Sequence, residues 1–89
     1  MPKVDFTETV EREIDGKQHK YTLHIYSVVS NTHLTADVTF NGKTKKNIKT
    51  FSLTDPIIGK EAEQGLRVFA DVTFKELYGQ VKKEAEENQ

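Results

Sequence analysis

Two dipeptides constrain this chain more than anything else in it: Asp15-Gly16 and Asn41-Gly42, each set between stretches of alternating apolar and polar residues. A two-residue hairpin turn whose twist matches that of paired strands needs positive φ at both central positions, and Asx-Gly supplies it at the least steric cost. Each dipeptide is therefore expected to join two antiparallel strands. Before the first, Val4, Phe6, Val10 and Ile14 share one parity, with Asp5, Thr7, Thr9, Glu11 and Glu13 between them, the pattern of a half-buried strand. After it, Tyr21, Leu23, Ile25 and Val29 fall on one parity and His24, Tyr26 and Val28 on the other, so both faces of this second strand should be partly covered. Ser30-Asn31-Thr32 reads as a short turn, and Leu34, Ala36, Val38 and Phe40 form a third alternating run. Lys43 to Leu53 then returns as a fourth, more polar strand whose lysines suit a sheet edge.

The period changes at Thr54-Asp55-Pro56, where a capping side chain precedes a proline suited to the first turn of a helix. Beyond it Ile58, Ala62, Leu66, Phe69, Val72 and Leu77 gather within about a third of a helical wheel, wide enough to pack on a sheet face. Gly59, Gly65 and Gly79 each weaken a helix interior and predict a bend or break. A competing pattern runs through the same stretch. The pentapeptide Ala-Asp-Val-Thr-Phe occurs at 36–40 and again at 70–74, and Leu66, Val68, Ala70, Val72 and Phe74 alternate as a strand would. That alternative would shorten the helix to about 75–87. The reading adopted is α+β: a four-stranded antiparallel β-meander over 3–14, 18–30, 33–40 and 43–53, then one C-terminal helix over about 56–86 packed on a sheet face. The acidic end, 84–89, is expected to fray.

Eighty-nine residues leave room for a single domain spanning 1–89, and the absence of cysteine removes any disulfide framework or thiolate zinc site that could supplement so small a core. Stability must come from packing or from oligomerisation. No charged-then-apolar leader and no long apolar run is present, so the expected location is cytoplasmic and no membrane partner is implied.

Catalytic chemistry finds little footing. A metal or acid/base site would need the histidines to converge with carboxylates such as Asp37, but His19 and His24 have opposite parity and should point to opposite faces, so the two cannot share an ion without a bulge, and His24 reads as an ordinary surface or cross-strand histidine. Ser27, Ser30 and Ser52 lack the glycine-flanked elbow that exposes a nucleophile, and Gly59 to Gly65 lacks both the phosphate-loop ending and the dinucleotide spacing. No enzyme, cofactor or metal is indicated, and no small-molecule ligand can be named. Two binding readings are left. An open sheet face carrying Tyr26, Val28, Phe51 and Leu53 would suit a homodimer, making the chain a small non-enzymatic binding or assembly module. The basic stripe Lys43, Lys45, Lys46 and Lys49, which includes no acid, would suit the backbone of a single-stranded nucleic acid.

Overall fold

The computed structural model describes residues 3–53 and 58–87, the side chains of 58–60 excepted. The capping reading at Thr54-Asp55-Pro56 and the place of Ile58 on the helical wheel lie outside the described residues. The elements run β1 (Asp5–Ile14), β2 (Lys17–Val28), β3 (His33–Phe40), β4 (Lys43–Lys45), β5 (Thr50–Ser52) and α1 (Ile58–Glu87). Strands β1 to β4 lie side by side in chain order, all antiparallel, and β5 pairs with β3 on the same edge as β4. This is the α+β meander with one C-terminal helix.

Both Asx-Gly turns adopt the conformation their chemistry favours, with φ of 55° and 79° at Asp15 and Gly16 and 52° and 80° at Asn41 and Gly42. They pair Ile14 with Lys17 and Phe40 with Lys43, and those two pairs set the registers of β1·β2 and β3·β4. The β2–β3 connection is tighter than its composition suggests. Val29, Ser30 and Asn31 all have positive φ, and the Thr32 N–H and hydroxyl both donate to the Val29 carbonyl, at 3.1 and 2.6 Å.

The fourth strand is broken in two. Between Val38↔Lys45 and Thr35↔Thr50 the returning chain uses two more residues than β3 does, and 46–49 loops outward. Asp37 ties down this excursion by accepting at Oδ1 from the Asn47 N–H, at 3.0 Å, where Asn47 has a φ of 53°. The Ile48 N–H donates to the Ala36 carbonyl and the Thr35 hydroxyl to the Lys49 carbonyl, so the buried backbone groups of the bulge are partnered.

The core lies between the sheet and α1. Tyr21, Leu23 and Ile25 of β2, Leu34, Ala36 and Val38 of β3, and Ala62, Leu66, Ala70, Phe74 and Leu77 of α1 are all buried. Residues 66–74 are helical, so the second Ala-Asp-Val-Thr-Phe is not a strand. The buried stripe also differs from the expected one: Ala70 and Phe74 point inward, whereas Phe69 and Val72 are 40% and 50% exposed. Packing on the sheet selects the positions four apart, 62, 66, 70 and 74, and turns Val68 and Val72 away from it. The helix continues through Glu84, Glu86 and Glu87, with Lys43 Nζ 2.9 Å from Glu84.

Candidate assembly surface and the polar clusters around it

Parity through the registers decides which side chains share a face. Opposite Leu34 stands Phe51, so Phe51 lies on the helix side, where its ring packs against Gly65 and lies 6.3 Å from that of Phe69. Leu53 is buried in the same core. These two residues are therefore not on the open face. The two-residue turn at Asn41-Gly42 puts Lys43 on the same side as Phe40, and the bulge adds an even number of residues, which carries that side on to Phe51. Tyr26 and Val28 are on the open face, both half-buried.

The open face holds one connected polar cluster. His24 Nε2 is 2.7 Å from Asp5 Oδ1, and its Nδ1 is 3.9 Å from Asp37 Oδ2. The Tyr26 hydroxyl donates to Asp37 Oδ1 at 3.0 Å and accepts from Asn47 Nδ2 at 3.3 Å, while its ring stacks on His24. Burial, then the bond to Asp37, pushes the Tyr26 phenol up, so it stays a proton donor. The cluster thus braces the 46–49 bulge through Asp37. Among the described residues no group of three or more His, Asp or Glu is arranged to hold a metal ion. His19, on the opposite face of β2, packs edge-on against Tyr78 and Phe40.

The lysine stripe is divided by the fold. Lys43 is engaged by Glu84, Lys49 Nζ sits 5.3 Å above the Phe69 ring, and Lys45 and Lys46 are exposed. Lys43 and Lys45 lie on the helix side of the β4 edge by register, opposite Phe40 and Val38.

The other edge of the sheet is β1. It is ten residues long, contains no proline, and has no strand beyond it among the described residues. Because Ile14 and Lys17 flank a two-residue turn, the even-numbered residues of β1 exchange their backbone hydrogen bonds with β2, and the Ser27 N–H to the Val4 carbonyl, at 2.8 Å, extends that parity. The odd-numbered residues, Asp5 to Glu13, turn their N–H and C=O groups outward. On the helix side Phe6, Val10 and Ile14 are only half-buried, because α1 lies chiefly over β3.

Polar side chains bridge the gap between α1 and β1. Asp71 accepts from Arg12 Nε and Nη2, at 3.1 and 3.2 Å, and from the Tyr21 hydroxyl at 2.5 Å. Arg67 Nε donates to Glu8 Oε1 at 3.0 Å. Burial favours a neutral Asp71, yet the bonds from Tyr21 and Arg12 and the guanidinium charge outweigh it and hold the carboxyl below its ordinary value. Burial first, then the same bond, pushes the Tyr21 phenol far above its own. A cavity of about 300 Å³ lies beside this network, lined by Glu8, Val10, Arg12, Tyr21 and Arg67 among others. The arrangement is one of fixed, paired charges along an open edge, with no nucleophile among them. Sequence reading passed over this edge because Glu8, Arg12, Arg67 and Asp71 each look like ordinary solvated charge until the fold joins positions 59 apart.

No protein-family model, no curated protein and no solved structure matches this chain. No described helix is long and apolar enough to cross a membrane.

Proposed function

We propose that this chain is a non-enzymatic assembly module whose partner is a second copy of itself, joined through the free edge of β1. The observation that carries this reading is the edge itself. Along this ten-residue strand the odd-numbered residues turn their backbone groups outward, of which the Glu11 carbonyl accepts from Arg12 Nη1 at 2.8 Å, and with neither a bulge nor a proline to interrupt it the edge backs onto the half-buried row Phe6, Val10 and Ile14. Charge is the blunting device this edge carries, at Asp5, Glu8, Glu11, Arg12 and Glu13, but on the helix side Glu8 and Arg12 are paired with Arg67 and Asp71, and an edge whose inward charges are so neutralised is still a template for another strand. Pairing would also bury apolar surface that α1 leaves uncovered, which a core this small needs. The test is mass by sedimentation equilibrium for the native chain and for Thr9→Pro, a change that removes only an outward N–H. A dimer that Thr9→Pro converts to a folded monomer supports the reading. A native chain that stays monomeric overturns it.

A second reading rests on Lys49 beside the exposed Phe69, with Lys45 and Lys46 nearby: a basic, aromatic strip for a single-stranded nucleic acid. It predicts oligonucleotide affinity that falls steeply with salt and is lost when Lys45, Lys46 and Lys49 become Gln. Lys43, already engaged by Glu84, adds little to it.

A further inference from the structure

Resting on the assembly reading, we infer that two copies pair their β1 strands antiparallel in a single register, with Val10 opposite Val10 on the two-fold axis. Helix sides can coincide only if even-numbered residues face even-numbered residues, which leaves few registers to compare. With Val10 at the centre, Phe6 meets Ile14 of the second copy, Glu8 meets its Arg12, and on the open face Thr9 and Thr7 meet its Glu11 and Glu13. Phe6, Val10 and Ile14 all find apolar partners, and over 6–14 no charge faces its like; Asp5 falls opposite Asp15 of the turn, at the end of the ladder.

The neighbouring registers fail one by one. Centring on Thr9 sets Phe6 against Arg12 and Glu8 against Val10. Centring on Glu11 sets Glu8 against Ile14, Val10 against Arg12, and Glu11 against itself. Centring on Glu8 or Arg12 opposes identical charges, which is unfavourable directly across a sheet. The outward backbone agrees as well, since the odd-numbered residues become the hydrogen-bonded pairs, with the Glu11 carbonyl exchanging its bond from Arg12 Nη1 for one from the Thr9 N–H of the second copy, and Val10 falls at a non-hydrogen-bonded pair.

The polar bridges fit the same register. Within one copy Arg67 donates to Glu8, and Arg12 to Asp71. Setting Glu8 across from Arg12 of the second copy joins these pairs into one alternating series, from Arg67 through Glu8 to the Arg12 and Asp71 of the other chain. The same contact repeats on the far side of the axis, as a two-fold interface demands.

The decisive measurement uses the native chain. In a mixture of isotope-labelled and unlabelled protein, an intermolecular nuclear Overhauser effect should link the Phe6 ring to the Ile14 methyls. Those groups lie about 27 Å apart along one strand, so the signal cannot arise within a copy. Cysteine trapping gives a second readout in a chain that has no cysteine of its own. Val10→Cys should oxidise to a covalent dimer roughly tenfold faster than Glu13→Cys, because Cα atoms at a non-hydrogen-bonded pair fall within disulfide range. A stable dimer that lacks the Phe6–Ile14 signal and traps the two variants equally would overturn this register and leave assembly standing. A monomer would remove both.

Discussion

Asp71, with Arg67, joins the helix to the sheet at the β1 side, and its titration gives that role a sign. Its carboxyl is held below the ordinary value of about 3.9, so the stability it contributes is fully present above about pH 4 and is lost as the pH falls through the lower folded value. Asp71→Asn should therefore lower the urea midpoint at pH 7, and the gap from the native chain should narrow below pH 4. A gap that stays constant with pH would show that the carboxylate's charge is not what Tyr21 and Arg12 use. Val29 offers a test of strain alone. It is β-branched, 65% exposed and held at a φ of 53°, a conformation that costs a residue with a Cβ roughly 1–2 kcal/mol. Val29→Asn keeps the turn, removes the branch and forfeits little packing, so it should raise stability by about 0.5–1 kcal/mol in chemical denaturation.

Ala-Asp-Val-Thr-Phe shows how the same five residues become a strand in one place and a helix in another. At 36–40 the hairpin at Asn41-Gly42 fixes a period of two, and Ala36, Val38 and Phe40 face the core side together. At 70–74 the apolar positions four apart win, Ala70 and Phe74 are buried, and Val72 is left facing solvent. The two copies meet, with Phe40 edge-on to Phe74 at 5.1 Å. The meander was legible because both Asx-Gly turns are local chemistry. The bulge at 46–49 was not, since it depends on Asp37 reaching a backbone N–H ten residues away, and neither was the inward side of α1, where Phe69 and Val72 were as apolar as the Ala70 and Phe74 that the sheet selected. The placement of Phe51 and Leu53 was available from turn arithmetic alone, because a two-residue hairpin loop keeps Phe40 and Lys43 on one side. The helix glycines divide in the same physical way. A Cβ at Gly79 would meet nothing, so Gly79→Ala should stabilise by up to about 1 kcal/mol through helix propensity. At Gly65 a Cβ would lie 2.9 Å from the tip of the Phe51 ring, so Gly65→Ala should gain less or lose, as parallel urea titrations would show.

For the molecule as a whole, surface and shape bear on the same question as the β1 edge. The chain has a radius of gyration of 14.7 Å and an accessible surface of 5965 Å². A compact monomer of this length would have about 12 Å and roughly 5,300 Å². A long sheet and a thirty-residue helix lying on it make the excess, and they leave β1 as an extended flank instead of wrapping it. If β1 is completed by a second copy, folding and association are linked, and the melting temperature must depend on concentration. A hundredfold rise in protein concentration contributes about 2.7 kcal/mol per dimer, which corresponds to an upward shift of about 5–10 °C for a unit of this size. Thr9→Pro should melt at one temperature across the same range. A native midpoint that also ignores concentration would mean that the edge, however open, stays unpaired while the protein unfolds, and the half-buried Phe6, Val10 and Ile14 would then be held by β2 and the Arg12–Asp71 and Arg67–Glu8 bridges alone.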